Sequence, residues 1–261
     1  MRFKFLLNLI LLVSVTCMFN VTIAGDRTVL VERYTSSTCG PCATNNPTVD
    51  AFMNAYSDAQ IMGLSYHMNW PAPGNDPMYS YNVTDNTTRR NYYSVNAIPQ
   101  LQMDGNTTLE PNYSNSQLVN AFNTRTNLLS PITIILRDSS FGADSMLVRV
   151  TVFCETAITS PSATLHVAIM EKLIVYASPP GTNGERNFHT VMRRMLPNAS
   201  GTAIELTPGV RKDYVFRIKK DALWNPAEVK AVAFVQAGNK EVLNSAWKLA
   251  DFCMLPNTPF R

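Results

Sequence analysis

The stretch Cys39-Gly40-Pro41-Cys42 lies between an apolar run and a segment whose apolar residues have helical spacing. Residues 27–34 (Arg-Thr-Val-Leu-Val-Glu-Arg-Tyr) are typical of a β-strand, and residues 43–57 of an amphipathic helix. A helix that begins at the first cysteine directs free backbone N–H groups and its positive dipole end at that sulfur. This favours the thiolate, the form of cysteine that attacks disulfides. The stretch therefore predicts a strand–motif–helix unit suited to thiol–disulfide chemistry.

A pair of cysteines two residues apart also occurs in zinc sites and in structural disulfides. A zinc site needs two more ligands, usually a second close pair, whereas Cys154 and Cys253 are isolated and the three histidines are scattered. We therefore predict neither a metal nor another cofactor. A structural disulfide between Cys39 and Cys42 remains open as an alternative, although so short a loop gains little closure entropy.

The first 24 residues are typical of a secretory signal. Arg2 and Lys4 supply the charged start, residues 5–15 the apolar run, and Thr22-Ile23-Ala24 the cleavage site. The apolar run is too short for a membrane span, and no later segment is long enough. We therefore expect an exported protein whose mature part has no transmembrane span and lies in a compartment that permits disulfides.

Charge and composition exclude some classes of protein. Removal of Arg2 and Lys4 leaves 20 of the 22 basic residues against 19 acidic residues, so the mature chain is close to neutral. The sequence contains no block of Lys and Arg interleaved with aromatic residues, so we predict no nucleic acid as partner. With 46% hydrophobic residues, the chain has enough apolar side chains to build a core.

The pattern of elements changes close to residue 130. Strand-like runs alternate with helical segments up to residue 128, which predicts an α/β domain over residues 25–129. From Pro131 onward, apolar residues recur with a period of two between turn residues. This pattern predicts an all-β domain over residues 130–261, an antiparallel sandwich of the immunoglobulin-like kind. Its strands are predicted at 132–136, 146–153, 164–170, 191–196, 213–218 and 229–236.

The first half contains one long segment without regular periodicity. Residues 69–86 are dense in Asn, Pro, Gly and Asp, which predicts a loop. The other elements expected here are a strand at 61–66, a short helix at 85–93, a hairpin at Asp104-Gly105 and a closing helix at 116–129.

Residues 27–128 resemble the thioredoxin superfamily through three matches that follow in order. The first is the Cys-Gly-Pro-Cys motif, and the second is Pro47, where thioredoxins carry the proline that kinks the active-site helix. The third is Ile98-Pro99, which looks like the family segment whose proline is cis and faces the cysteines. Thr38 departs from the tryptophan that usually precedes the first cysteine. The resemblance implies a thioredoxin-like α/β domain with residues 69–86 as an inserted loop.

The same resemblance implies a mechanism of thiol–disulfide exchange. Cys39, exposed at the helix start, would attack a partner disulfide as the thiolate, and Cys42 would resolve the mixed disulfide. Pro99 would shape the peptide-binding surface and keep both thiols accessible. The Gly-Pro pair between the cysteines resembles the reductant end of the family.

Further site residues follow from the resemblance. Ile98 would bind the substrate through its backbone, and Gly40 and Pro41 would complete that surface. Thioredoxins also keep a buried acid beneath the motif as a proton acceptor. Glu32 is the candidate here, although Arg33 occupies the strict register. The alternative for Glu32 is a solvated charge at the end of the strand.

The whole mature chain resembles the Omp-28-related outer membrane proteins, which are exported and combine a thioredoxin-like half with a β-rich half. The segments that carry this resemblance are Glu32-Arg33-Tyr34-Thr35, Tyr66-His67, Asp76-Pro77-Met78-Tyr79, Tyr92-Tyr93, Asn183-Gly184-Glu185-Arg186-Asn187-Phe188-His189, Arg194-Met195-Leu196-Pro197, Gly201-Thr202, Ala233-Phe234-Val235-Gln236 and Lys240-Glu241-Val242-Leu243. The resemblance implies a location in the periplasm, at the outer membrane or at the cell surface. It fixes no substrate.

Two functions remain open at this point. The first is an exported thioredoxin-like oxidoreductase that acts on envelope or secreted protein substrates through Cys39 and Cys42. The second is a cell-surface binding or adhesion protein in which the thioredoxin-like half is a non-catalytic scaffold for a surface partner. In the second case the cysteine pair is a structural clip.

Two more pairs of residues each allow two interpretations. Cys154 and Cys253 could form a disulfide that joins the C-terminal segment to the second half, or they could be two separate buried thiols. His67 and Asp76 could line the groove near the motif, or they could be polar residues satisfied at a strand end.

Overall fold

The computed structural model describes residues 25–141, 144–159 and 162–247. The expected signal at residues 1–24 lies outside the described residues, and so does Cys253. Cys154 is buried and has no disulfide partner in the described part of the chain. The Cys154–Cys253 bridge therefore stays a prediction.

The described elements follow one another as helices and strands in the first half and as strands in the second. The helices are α1 (Gly40–Asn54), α2 (Pro77–Tyr81), α3 (Val83–Tyr93) and α4 (Asn115–Thr126). The strands are β1 (Val29–Thr35), β2 (Ile61–His67), β3 (Gln100–Met103), β4 (Thr107–Leu109), β5 (Ile132–Phe141), β6 (Ser145–Cys154), β7 (Ser162–Val175), β8 (Asn187–Leu196), β9 (Thr202–Glu205), β10 (Arg211–Lys219), β11 (Val229–Ala237) and β12 (Val242–Trp247).

Strand β1 is the centre of the first half. It pairs in parallel with β2 and antiparallel with β3, and all of its residues are buried. Continuous burial is typical of a strand that is covered on both faces. Val29 and Val31 pack in one cluster with side chains of α1 and α4, whereas Leu30 and Tyr34 pack on the other face in a cluster that includes α3. The motif follows β1 directly, at the point where α1 begins.

Local signals predicted most of the first half, with one correction. Asp104 and Gly105 have φ angles of 48° and 64° between β3 and β4, the left-handed conformation that Asp-Gly favours in hairpins. The loop predicted over residues 69–86 is wrong in its second part, which contains α2 and the start of α3. Side-chain oxygens of Asp76 and Asn82 cap these two helices. The many Pro and Asn residues around these two helices made the segment resemble a loop, so their N-caps were not predicted.

One mixed sheet runs through both halves of the described chain. Its order is β12-β11-β7-β8-β2-β1-β3-β4, and β9 also pairs with β7. The halves meet where β8 lies parallel to β2, at the pair Ser65–Val191. The sequence boundary near residue 130 falls between α4 and β5, but the sheet continues across the two halves.

The second half is a large all-β portion, and it differs from the self-contained immunoglobulin-like sandwich predicted from the sequence. Strands β10, β6 and β5 form a separate three-stranded sheet, which packs on β7 and β11 through one apolar cluster. However, β7 and β11 each bury seven consecutive residues. Their opposite face, with Met170 and Phe234, packs against Tyr34 and Leu64 of the first half. A separate sandwich would leave that face in solvent.

A buried ion pair of the first half also contacts the second half. Arg89 of α3 donates to the Glu32 carboxylate at 2.6 Å and to the side-chain oxygen of Gln236, in β11, at 3.2 Å. The hydroxyl groups of Tyr66 and Tyr93 donate to the same carboxylate. Arg89 is 1% exposed and Glu32 is 0% exposed. Because a buried charge without a partner is costly, this pair ties α3, β1 and β11 to one another.

Replacement of Arg89 tests this account. Arg89→Met leaves the Glu32 carboxylate buried without a countercharge, and we expect a loss of about 3–5 kcal/mol in the free energy of unfolding. The double variant Arg89→Met with Glu32→Gln should lose less, because the remaining amide is neutral and its oxygen still accepts from a tyrosine hydroxyl. Urea unfolding measures both values. A double variant that is no more stable than Arg89→Met would contradict the ion-pair account.

Candidate functional site around the Cys39–Cys42 disulfide

Helix α1 begins at the motif itself. Cys39 is its N-cap residue, and the Cys39 Sγ accepts from the backbone N–H of Cys42 at 3.0 Å. Pro41 lies in the first turn, where its missing N–H costs nothing and its fixed φ suits a helix. Pro47 lies inside the helix, as the sequence predicted. The strand–motif–helix unit therefore places both cysteines at a helix N-terminus.

The structure brings together four of the residues singled out in the sequence. Cys39 and Cys42 form a disulfide. The Cys39 Sγ lies 3.8 Å from the carbonyl oxygen of Ile98. The Ile98–Pro99 peptide bond is cis, as the thioredoxin resemblance implies. Residues about 60 positions apart in the chain thus meet beside one disulfide.

The expected exposure of Cys39 is wrong. Cys39 is 1% exposed and Cys42 is 0% exposed, although Gly40 and Pro41 between them are exposed to solvent. Ser36, Ser37 and Thr38, which precede the motif, are also buried. A turn at a helix start is ordinarily open to water, so burial of this turn requires cover from elsewhere in the fold.

The second half supplies this cover through residues 179–186, which we name the cap segment, between β7 and β8. The backbone N–H of Asn183 donates to the Ser37 carbonyl at 3.0 Å. The side-chain amide of Asn183 lies 3.0 Å from the carbonyl oxygen of Ser36 and 3.2 Å from that of Cys39. Asn183 therefore adds hydrogen bonds from the other half to the turn at residues 36–39, which we name the motif turn.

Gly181 makes the closest steric contact in the cap segment. A Cβ atom at this position would lie 2.2 Å from the Ser37 carbonyl oxygen and 2.6 Å from the Ser37 Oγ. Only glycine lets the backbone of the cap segment approach so closely. The interface between the cap segment and the motif turn is thus closed by both packing and hydrogen bonds.

A partly buried carboxylate anchors the end of the cap segment on α1. Glu185 accepts from the Asn46 amide at 2.7 Å and from the Asn183 amide at 2.5 Å. Asn46 lies one helical turn after Cys42. Burial raises the pKa of Glu185 above its ordinary value of 4.5, and the hydrogen bonds from Asn46 and Asn183 offset only part of that rise.

The motif turn is also held from the side of the first half. The Asp76 carboxylate accepts from the Ser37 N–H at 2.6 Å and pairs with the His67 Nδ1 at 2.8 Å. His67 and Asp76 therefore lie beside the motif, where the sequence placed them as one alternative. The His67 Nε2 has no hydrogen-bond partner among the described residues, and His67 borders a cavity of about 10 Å³.

The structure does not support Glu32 as a proton acceptor beneath the motif. Side chains alternate along β1, so Arg33 faces α1 and pairs with Asp50 at 2.8 Å. Glu32 points to the opposite face, where Arg89 holds it. The alternative of a solvated charge is wrong as well, because Glu32 is fully buried. The acids that lie near the motif are Asp76 and Glu185.

Sequence reasoning missed the cap segment. It used Asn183 to Glu185 only as part of a family resemblance, and Pro179-Pro180-Gly181 falls between the strands predicted at 164–170 and 191–196. The Pro-Pro-Gly run with nearby Asn and Glu marks a rigid polar loop between two strands. No local pattern states which distant turn such a loop will contact.

Neither a metal site nor a membrane-spanning helix is found among the described residues. Across residues 25–141, 144–159 and 162–247, no three His, Cys, Asp or Glu side chains are grouped so that they could hold a metal ion. In the same ranges, no helix combines the length and the apolar character needed to cross a membrane.

These observations define the class of protein. Its first half resembles the thioredoxin superfamily in the order of its elements around a Cys-x-x-Cys disulfide and a cis-proline. Its second half is β-rich and shares a sheet with the first.

Comparison with known proteins agrees with this class. The family model of outer membrane protein Omp28 matches residues 86–249. HBP35 of Porphyromonas gingivalis has a similar overall fold, with a TM-score of 0.70 at 12% identity over 90% of this chain and 80% of that chain. No curated protein matches.

Two solved structures align over shorter parts. A domain of the outer membrane lipoprotein Omp28 from Porphyromonas gingivalis covers 45% of this chain and 86% of that chain, with 18% identity and a TM-score of 0.34. Tryparedoxin I from Leishmania major covers 39% of this chain and 80% of that chain, with 14% identity and a TM-score of 0.27.

The family match spans more than half of the chain, and the chain therefore belongs to the outer membrane protein Omp28 family. It is an exported protein of the cell envelope, which confirms the location predicted from the sequence.

The Asp76 carboxylate gives a pH-dependent prediction. Burial raises its pKa, but the charge and hydrogen bond of His67 together with the Ser37 and Tyr79 N–H groups bring the pKa below the ordinary 3.8. Ionised Asp76 therefore contributes its full stability at pH values above the ordinary pKa, which applies to the unfolded chain. The contribution is lost as the pH falls through the lowered pKa of the folded state. We expect Asp76→Asn to cost about 1–3 kcal/mol at pH 7 and progressively less below pH 4.

Urea unfolding between pH 7 and pH 3 measures this difference. Asp58→Asn, in an exposed turn, is the matched control and should change stability by less than about 0.5 kcal/mol. A cost for Asp76→Asn that is constant over this range would show that the charge of Asp76 is not involved.

Proposed function

We propose that this chain is a binding protein of the outer membrane or cell surface in which the thioredoxin-like half is a non-catalytic scaffold. The observation that carries the proposal is the burial of Cys39 and Cys42, at 1% and 0% exposure, beneath a segment of the other half. A disulfide that exchanges with protein substrates must present one sulfur to them. Here the pair acts as a structural clip at the start of α1.

The surface next to the motif helix supports a binding role. An open groove of about 440 Å³ lies along the seam between α1 and the start of β8. Its lining mixes apolar and charged side chains, which suits a protein partner better than an apolar small molecule. The lining residues are Pro47, Asp50, Ala51, Asn54, Glu185, Arg186, Asn187 and His189.

Thiol–disulfide exchange is the second candidate function, and a specific observation favours it. The Cys39 Sγ lies 3.8 Å from the Ile98 carbonyl beside cis-Pro99, the arrangement that the thioredoxin resemblance implies for a redox-active pair. In this candidate, Cys39 is the attacking residue, Cys42 the resolving residue, and Ile98, Gly40 and Pro41 contact the substrate. Glu32 has no part in it.

A turnover assay distinguishes the two functions. We expect the wild-type protein to accelerate the reduction of insulin disulfides by dithiothreitol no more than the double variant Cys39→Ser with Cys42→Ser. We also expect Cys42→Ser, expressed in its native envelope, to accumulate no mixed disulfide at Cys39. Wild-type turnover above that of the double variant, or a specific client trapped on Cys39, would establish exchange instead.

The clip itself has a measurable effect on stability. Loss of a disulfide that closes a four-residue loop removes a constraint worth roughly 2 kcal/mol in the chain-entropy model. The double serine variant should therefore remain folded but unfold at a lower urea concentration. An unchanged urea midpoint would show that the disulfide does not stabilise the fold.

A further inference from the structure

The motif turn receives hydrogen bonds from both halves of the chain. Within the first half, the Ser36 carbonyl accepts from the Cys39 N–H at 3.1 Å, and the Cys39 carbonyl accepts from the Cys42 and Ala43 N–H groups at 3.1 and 3.3 Å. Asn183 of the second half adds side-chain contacts to both of these carbonyl groups and donates its backbone N–H to the carbonyl of Ser37. The contact between the halves therefore adds to the enclosure of the motif turn.

The contact consists of three different attachments. Asn183 binds the turn through hydrogen bonds, and Gly181 packs its backbone against Ser37. Glu185 joins the end of the cap segment to Asn46 of α1. The segment between these attachments is exposed at Thr182 and Gly184, so water lies on its outer side. The cap segment thus lies between the motif turn and solvent on the side of the second half.

We infer that the cap segment, residues 179–186, gates the disulfide, and that it must leave the motif turn before a thiol can reach Cys39. The second half would then control the redox reactivity of a site that lies in the first. This inference goes beyond the proposed binding function, because it concerns access to the disulfide and not the partner. It applies to any dithiol reductant.

The gated step is reduction by a dithiol. With the cap segment displaced, a thiolate of the reductant attacks the Cys39 Sγ, the Cys39–Cys42 bond breaks, and Cys42 leaves as a thiolate that takes up a proton. The second thiol of the reductant then attacks the mixed disulfide and releases Cys39 as a thiol. The reductant loses two electrons and two protons and closes its own disulfide, and the protein gains them.

Gly181→Ala is the direct test, because an added Cβ would lie 2.2 Å from the Ser37 carbonyl and push the cap segment away. Asn183→Ala removes the side-chain hydrogen bonds to the Ser36 and Cys39 carbonyl groups without adding bulk. Thr182→Ala, at an exposed position in the same segment, is the matched control. The measurement is the rate at which dithiothreitol reduces the Cys39–Cys42 disulfide at neutral pH, followed by trapping of the new thiols and mass spectrometry.

We expect Gly181→Ala and Asn183→Ala to raise the reduction rate at least about tenfold, which corresponds to loss of one or two hydrogen bonds from the closed state. Thr182→Ala should stay within about twofold of the wild-type rate. Urea midpoints measured on the oxidised proteins separate local opening from unfolding. If Gly181→Ala does not fold, Asn183→Ala carries the test.

Two results would overturn the inference. The first is a folded Asn183→Ala or Gly181→Ala protein that is reduced at the wild-type rate. The second is a wild-type disulfide that is already reduced as fast as the same disulfide in the urea-unfolded chain. The first result leaves the scaffold proposal standing, because that proposal fails only if the wild-type protein catalyses reduction of insulin or traps a specific client on Cys39.

Discussion

The parallel pairing of β8 with β2 is the constraint on which the rest of the structure depends. The Ser65 Oγ contacts the His189 carbonyl oxygen at 2.9 Å and the Thr190 Oγ1 at 3.0 Å, so side chains reinforce this seam. Because β8 continues the sheet of the first half, β7 and β11 become central strands covered on both faces. The chain that leads into β8 is thereby carried over the start of α1. The cover on the disulfide is a consequence of this one strand pairing.

Buried arginines of the first half donate hydrogen bonds to polar groups of the second half. Asp104 of the β3–β4 turn accepts from Arg27 and Arg125, and Arg27 also donates to the Val242 carbonyl at 2.7 Å. Burial raises the pKa of Asp104, whereas its hydrogen bonds and both arginines oppose this rise. Arg89, which pairs with Glu32, likewise donates to the side chain of Gln236 in the second half. Since buried polar groups destabilise a fold unless they are hydrogen-bonded, these contacts favour the joined state of the two halves.

The functional conclusion depends on how far the site is exposed to solvent and not on which residues it contains. The disulfide, the helix start and cis-Pro99 are the parts that a thioredoxin-like exchange site requires. Their arrangement is present, yet both sulfurs are enclosed. Membership of an outer membrane protein family gives the location of the protein and no reaction. The same motif can therefore be a structural disulfide in one fold and a redox-active disulfide in another, depending on which residues cover it.

Features that depend on neighbouring residues could be predicted from the sequence. These include the strand and helix around the motif, the Asp-Gly hairpin and the position of Ile98-Pro99. The sequence also contained an unused signal, since the nearly continuous apolar residues of β7 and β11 are typical of strands buried on both faces. Tertiary structure alone decided that Glu32 faces Arg89 and that Asn183 covers Cys39, 144 positions away in the chain. Periodicity fixes which residues share a face but not what that face will meet, because the partner is chosen by packing of the whole chain.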